Sequence, residues 1–128
     1  MPEINWEELT EAARASLAHS YSPYSNFAVG AAALTEDGRI VTGANIENAS
    51  FGITLCAECS LISDLFRTGG GRLVAFACVD GSGKPLMPCG RCRQLLFEHS
   101  APGMQLQSAG GLMTIEQMLP DAFGPERL

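Results

Sequence analysis

Two short stretches carry the strongest signal in this sequence: Cys56-Ala57-Glu58 and, further along the chain, Pro88-Cys89-Gly90-Arg91-Cys92. Cys89 and Cys92 have a helical i, i+3 spacing, so both thiols can face the same point. Cys56 would bring a third thiol from a second helix. Three thiolates can hold a zinc ion on three sides and leave its fourth position open. Glu58, two residues beyond the first thiol, could then act on whatever fills that position.

Cys59 leaves a second interpretation open, because it extends the first stretch to Cys-x-x-Cys. Four thiolates would make a closed structural zinc site, suited to an interaction module and without a position for catalysis. Glu58 argues against that interpretation, since a structural zinc knot needs no carboxylate. A third interpretation takes the clustered thiols as ordinary core residues, which are common. We predict that role for Cys78, which lies in an apolar run.

Secondary-structure signals around these stretches alternate between helices and strands. The sequence predicts helices from Trp6 to about His19, over 56–67 with Thr54 as its cap, over 89–99, and a short one capped by Thr114 and Gln117. It predicts strands over 27–34, 39–45 and 73–79, and a short one near 104–107. This order predicts an α/β sandwich, in which helices cover a mixed sheet. Both cysteine clusters would lie at helix N-termini, where the helix dipole favours a thiolate.

Composition limits the class of protein. A chain of 128 residues that is 46% hydrophobic predicts a single domain, residues 1–128, with one real core. Eight Lys and Arg against fourteen Asp and Glu give a net charge of −6, which disfavours nucleic acid as a partner. We see neither a membrane-spanning apolar run nor a signal peptide, so we expect no membrane partner and a cytoplasmic location. Clustered thiols in a reducing compartment favour metal binding or catalysis.

Several motifs together resemble the small, homotetrameric, three-cysteine type of cytidine deaminase. The similarity runs from about Tyr21 to Phe123, and its motifs follow one another in the family's order. Besides the two cysteine stretches, it includes Tyr24-Ser25-Asn26-Phe27-Ala28-Val29-Gly30-Ala31-Ala32, Gly43-Ala44-Asn45-Ile46-Glu47-Asn48-Ala49-Ser50 and Leu119-Pro120-Asp121-Ala122-Phe123. The resemblance implies a three-layer α/β/α sandwich with a mixed central sheet of about five strands.

The resemblance also implies roles for individual residues. The zinc ligands would be Cys56, Cys89 and Cys92, and Glu58 would be the catalytic proton shuttle. The substrate-binding residues would be Phe27 against the pyrimidine, Asn45 and Glu47 on the ribose, Ala57, and Phe123 reaching into a neighbouring subunit's site. Each also has a simpler interpretation: Phe27 and Phe123 as packing residues, Asn45 and Glu47 as ordinary loop residues.

The implied reaction is the hydrolytic deamination of free cytidine and deoxycytidine to uridine and deoxyuridine with release of ammonia, a step of pyrimidine salvage. Zinc-bound hydroxide would attack C4 while Glu58 moves protons. A blasticidin S deaminase is the closest alternative enzyme, because it shares the pattern around the zinc. The carboxylate at Glu47 argues against it, since that antibiotic carries no ordinary ribose. A nucleic-acid editor is disfavoured by the negative charge.

Two positions depart from the family pattern. Cys59 stands where an arginine that offsets the thiolate charge is frequent, and Phe51 stands where a tyrosine is frequent. Three thiolates on Zn²⁺ leave a formal charge of −1, which weakens the Lewis acid. Our hypothesis is that Arg91 or Arg93, with the two helix N-termini, supplies part of the compensation. Unchanged turnover and zinc affinity in both Arg→Ala variants would refute it.

Overall fold

The protein is represented by a computed structural model that describes residues 2–128. The helices are α1 (Trp6–Ser16), α2 (Ala57–Arg67), α3 (Gly90–His99) and α4 (Ile115–Met118). The strands are β1 (Val29–Thr35), β2 (Ile40–Ala44), β3 (Leu73–Asp80), β4 (Ser100–Ser108) and β5 (Gly111–Thr114). Within the described residues, no helix combines the length and the apolar character that crossing a membrane requires.

The five strands form one mixed sheet in the order β2-β1-β3-β4-β5. Only β3 and β4 run parallel, joined through α3, and the other neighbouring pairs are antiparallel. Side chains alternate across a strand, so β1 serves both faces of the sheet. Ala31 and Ala33 pack in the cluster that includes α2, whereas Ala32 and Leu34 pack with Leu9 of α1. The predicted three-layer sandwich with about five strands is therefore confirmed.

Most predicted elements are present, with shifted ends. The first strand begins at Val29 and not at Phe27, and the second spans Ile40–Ala44. β4 is longer than predicted, and the residue-by-residue prediction missed β5, which pairs back onto β4 through a hairpin. The Gly110-Gly111 pair was the available signal for this hairpin, whose turn residues are Ala109 and Gly110.

Of the two helix caps that the sequence predicts, the cap of α4 is right and the cap of α2 is wrong. The capping box of Thr114 and Gln117 at α4 is confirmed. Thr54 does not cap α2, because its hydroxyl accepts a hydrogen bond from the Asn48 amide. The residue at the N-cap of α2 is Cys56 itself, and Cys89 holds the same position in α3. Both cysteine clusters thus lie at helix starts, as predicted.

Gly43 sets how closely β2 and α2 approach each other. A Cβ atom at this position would collide with the carbonyl oxygen of Ala57 and the amide nitrogen of Leu61. The backbone of β2 therefore touches the first turns of α2, which is the part of the helix that follows Cys56. The absence of a side chain at Gly43 allows the start of this helix to lie directly against β2.

Candidate metal centre and substrate cleft

Three thiols meet where the starts of α2 and α3 come together. The Sγ atoms of Cys56, Cys89 and Cys92 all lie within 4.8 Å of one another. A tetrahedral zinc with Zn–S bonds of ~2.3 Å holds its sulfurs ~3.8 Å apart. Small side-chain rotations would bring this group to that spacing, so the donor set fits zinc. Among residues 2–128, this is the group of His, Cys, Asp and Glu side chains placed to hold a metal ion.

Cys59 does not belong to this group of three sulfurs. It lies one turn into α2 and is half-buried, but its thiol is not close to all three others. The closed four-thiolate arrangement that the sequence left open is therefore not the one the fold builds. With three sulfur donors, the group leaves one side free.

The acid–base properties of the thiols also fit a cation among them. At the start of α3, the backbone N–H groups of Cys92 and Arg91 lower the pKa of the Cys89 thiol. Burial raises the pKa of the Cys56 and Cys92 thiols, so in the absence of a positive charge both favour the protonated form. A divalent cation between the sulfurs would reverse this preference, because metals bind the thiolate.

Glu58 is a buried carboxyl beside the sulfur group. Only 4% of the residue is exposed, and burial raises the pKa of its carboxyl above the ordinary value. Its charge in turn is among the causes that raise the pKa of Cys92, which places the two groups close together. A carboxyl whose pKa is raised toward neutrality can both accept and release a proton, which is what a proton shuttle requires.

A cleft of about 190 Å³ opens onto this group. Its lining contains the three cysteines of the sulfur group together with Glu58, Ala57 and Asn45, all of which the sequence singled out. The remaining lining residues were not predicted, and they are Val29, Thr54, Leu55, Leu86 and Met87. Leu86 and Met87 directly precede the Pro88-Cys89 motif, and that adjacency was the signal that could have identified them. Phe27, Glu47 and Phe123 are not part of the lining.

The Asn45 side chain holds the start of β1 and the segment before it through hydrogen bonds. Its Oδ1 accepts hydrogen bonds from the Ser20 hydroxyl at 2.5 Å and the Val29 amide at 2.9 Å. Its Nδ2 donates to the Phe27 carbonyl at 2.8 Å. A side-chain amide has two N–H donors, so one remains for a ligand.

Glu47 holds the preceding turn in a similar way. One carboxylate oxygen accepts from the amides of Tyr24 at 2.9 Å and Ser25 at 3.2 Å, and the other accepts from the Ser25 hydroxyl. The Ser25 hydroxyl and these amides lower the pKa of the Glu47 carboxyl, so it is ionised at neutral pH. An ionised carboxylate accepts about four hydrogen bonds, and three are used here.

The two aromatic candidates lie on the surface of the single chain. Phe27 is 50% exposed and Phe123 is 59% exposed, so neither is the core residue that the simpler interpretation required. The Phe123 backbone carbonyl accepts a hydrogen bond from the Gln94 side chain at 2.9 Å, which ties this segment to α3. Cys78 is buried, as predicted, and its thiol donates to the Leu86 carbonyl at 2.8 Å.

The two candidate arginines of α3 differ. Arg91 is exposed, whereas Arg93 is half-buried and donates hydrogen bonds to two backbone carbonyls. The charge-compensation hypothesis stays a prediction.

Comparison with known proteins agrees with this geometry. Residues 4–106 match the family described as the cytidine and deoxycytidylate deaminase zinc-binding region. The chain therefore belongs to the cytidine and deoxycytidylate deaminase family. Zn²⁺ is the cofactor that both this match and the three-sulfur group support.

Individual relatives narrow the comparison further. A cytidine deaminase of Mycobacterium tuberculosis (strain CDC 1551 / Oshkosh) is 53% identical over 128 residues, which is 100% of this chain and 96% of that protein. The crystal structure of cytidine deaminase from Mycobacterium leprae has a TM-score of 0.91 and 58% identity, covering 93% of this chain and all of that one. That of cytidine deaminase from Mycobacterium tuberculosis has a TM-score of 0.92 and 53% identity, covering 95% and 99%.

Proposed function

We propose that this chain catalyses the hydrolytic deamination of cytidine and deoxycytidine. Water replaces the amino group at C4, so the products are uridine or deoxyuridine and ammonia. The observation that carries the proposal is a buried carboxyl, Glu58, next to a three-sulfur metal group within one cleft. Family membership and full-length similarity to cytidine deaminases support the choice of substrate.

The proposed zinc ligands are Cys56, Cys89 and Cys92. A bound zinc ion would supply Lewis acidity and would lower the pKa of a bound water molecule to about 7. Two of the three thiols lie at N-caps, where the backbone N–H groups of the following turn favour the thiolate. The third, Cys92, is 1% exposed and forms the inner side of the group, whereas Cys89 is exposed.

The proposed role of Glu58 is to move protons between water and substrate. Its carboxylate accepts a proton from the attacking water and delivers it to N3 of the pyrimidine. Glu58 then takes the proton of the new C4 hydroxyl and delivers it to the amino group, so the C4–N bond breaks, ammonia leaves and the C4 carbonyl of the product forms. Burial supports this role, because it brings the pKa of the carboxyl closer to the working pH.

The size of the cleft indicates which part of the nucleoside it would hold. About 190 Å³ is below the ≈300–1,000 Å³ of typical small-molecule pockets, so we assign this space to the base alone. Ala57 lines it and would contact the pyrimidine. The ribose would then lie at the rim, where Asn45 has one N–H to donate and Glu47 has one remaining acceptor position. A sugar hydroxyl can accept from the first and donate to the second.

We propose that a homotetramer completes the rim. The segments 21–27 and 46–55 expose Tyr21, Tyr24, Phe27, Ile46, Phe51, Ile53 and Leu55. Clustered apolar exposure of this kind marks interaction surfaces. Phe27 would pack against the pyrimidine, and Phe123 would extend into the site of a neighbouring subunit. The whole chain, 1–128, would be one domain working in the cytoplasm, where thiols stay reduced.

The decisive experiment follows the ultraviolet change from cytidine to uridine with purified protein and with the variant Glu58→Gln. We expect the wild type to turn over cytidine and deoxycytidine. The variant should keep zinc and nucleoside binding but lose at least ~10²–10⁴-fold in kcat, the usual contribution of a positioned acid or base. Glu36→Gln, at an exposed carboxylate away from the cleft, is the control and should keep full activity.

Two results would contradict the proposal. Retained turnover in Glu58→Gln would remove this residue from the mechanism. Turnover of blasticidin S in place of cytidine would assign the chain to the alternative deaminase.

A further inference from the structure

The backbone around Cys89 is held by the residue that follows Cys92. The Arg93 backbone N–H donates to the Cys89 carbonyl at 2.9 Å, and its Nε donates to the Pro88 carbonyl at 2.8 Å. These two carbonyls belong to the peptide planes on either side of the Cys89 Cα. Arg93 therefore fixes both planes, and with them the direction in which the Cys89 thiol leaves the backbone.

The same guanidinium reaches a second segment of the chain. Its Nη1 donates to the carbonyl of Met118, the last residue of α4, at 3.2 Å. Gln94, the next residue of α3, donates to the Phe123 carbonyl at 2.9 Å. Two consecutive α3 side chains thus hold both ends of segment 118–123, which carries one of the proposed substrate contacts.

Both carbonyls held by the Arg93 side chain come from buried residues. Pro88 and Met118 are buried, and in residues 2–128 no backbone N–H donates to the Pro88 carbonyl. A buried carbonyl without a donor is costly, so this interaction is not freely replaced by water. The ion pairs formed within the same residues involve Arg14, Arg39 and Arg67, so Arg93 is not diverted to a carboxylate.

Cys56 does not depend on a side chain in this way. The residue before it, Leu55, exchanges two backbone hydrogen bonds with Ile46, each of 2.9 Å. One of them fixes the Leu55 carbonyl, which occupies the position equivalent to the Pro88 carbonyl. The carbonyl that precedes Cys56 is therefore held by a backbone hydrogen bond between two segments, whereas the carbonyl that precedes Cys89 is held by the Arg93 guanidinium.

We propose that Arg93 is a positioning residue: its fork of donors aligns Cys89 for the metal and, through Met118, couples the metal centre to segment 118–123. This inference rests on the proposed metal site and goes beyond it, because it assigns to one side chain both the ligand geometry and the placement of Phe123. The planar, multi-donor shape of a guanidinium suits such a role, whereas a lysine ammonium is a single point of charge.

The test compares Arg93→Met with Arg91→Met, which changes an exposed arginine two residues earlier on the same helix. Zinc affinity is measured by chelator competition, the Co²⁺-substituted protein by visible d–d absorption, and segment 118–123 by hydrogen exchange. We expect Arg93→Met to raise the zinc dissociation constant roughly 10-fold or more, as supporting residues around metal ligands commonly do. Its cobalt spectrum should shift and exchange at 118–123 should accelerate, while Arg91→Met stays within about twofold of wild type.

A second pair, Arg93→Lys and Arg91→Lys, decides the matter if Arg93→Met does not fold. An ammonium keeps the charge, but all its donors radiate from one atom and cannot reproduce the separate Nε and Nη1 positions, so Arg93→Lys should also weaken zinc binding relative to Arg91→Lys. Equal zinc affinity and equal cobalt spectra within either pair would overturn the proposal. In the lysine pair, this result would mean that a positive charge at position 93 is enough to support zinc binding. None of these measurements uses a nucleoside, so failure here is distinguishable from failure to deaminate cytidine.

Discussion

The starts of α2 and α3 have the same sequence pattern and backbone geometry, but they contribute different numbers of cysteines to the sulfur group. Each begins with a Cys-x-x-Cys stretch whose first cysteine is the N-cap, with closely similar backbone angles: φ −67° and ψ 158° at Cys56, φ −67° and ψ 169° at Cys89. The second cysteine of α3, Cys92, is buried in the sulfur group. Its counterpart in α2, Cys59, is outside that group.

The difference lies in which face each helix turns inward. In α2 the buried face includes Glu58, Leu61 and Leu65, so the residue two positions after the cap points to the centre. In α3 the buried residues are Cys92 and Leu96, so the third position after the cap points inward. The comparison teaches that a rotation of one helix about its axis replaces a fourth thiol by a carboxyl. With this rotation, the group has three thiols beside a carboxyl and not the four thiols of a closed structural metal site.

The largest difference between the two helix starts is expected when the second cysteine of each, Cys92 in α3 or Cys59 in α2, is replaced. Cys92→Ala should lose zinc and, with it, all measurable turnover, because two sulfur donors remain. Cys59→Ala should keep its zinc and its activity. Metal content by mass spectrometry or atomic absorption, with turnover on cytidine, checks both variants. Zinc loss in Cys59→Ala would show that the two helix starts are equivalent after all.

A smaller effect tests the rotation of α2 directly. Leu65 is fully buried on the inner face, and Leu65→Ala should lower the free energy of unfolding by about 2–5 kcal/mol. Ser63→Ala, at an exposed position of the same helix, should change it by less than ~0.5 kcal/mol. Urea denaturation measures both. Equal losses in the two variants would mean that this face of α2 is not the one held against the core.

Residues outside both helix starts should matter least, and Phe123 provides the test. Phe123→Ala should reduce kcat/KM by roughly 2–13-fold, the equivalent of ~0.5–1.5 kcal/mol for one aromatic contact. If Phe123 serves a neighbouring subunit, mixing Phe123→Ala with Glu58→Gln, which we expect to be inactive, should give more activity than the sum of the two alone. Some mixed sites would then combine an intact Glu58 with an intact Phe123.

Strictly additive activity in that mixture, once subunit exchange is demonstrated, would contradict the shared site. It would confine the function of Phe123 to its own chain.

The sequence predicted what is local and could not predict what depends on distant contacts. The i, i+3 cysteine pair placed Cys89 and Cys92 at a helix start, and Thr114 with Gln117 marked the start of α4. The fate of Cys59 was not predictable, because the rotation of α2 is set by its packing against β2 and the core. The hydrogen bonds of Asn45 and Glu47 depend on residues 16 and 23 positions earlier in the chain, Val29 at the start of β1 and Tyr24 in the turn before it.

The close approach at Gly43 has a consequence for how freely this sequence can vary. A methyl group there would force the start of α2 outward and misalign Cys56 and Glu58, although Gly43 belongs neither to the sulfur group nor to the cleft lining. In a saturation library sorted for activity, we expect position 43 to accept almost no replacement and position 59 to accept many. The mutational tolerance of this protein would then follow the packing of one backbone against another more closely than distance from the zinc.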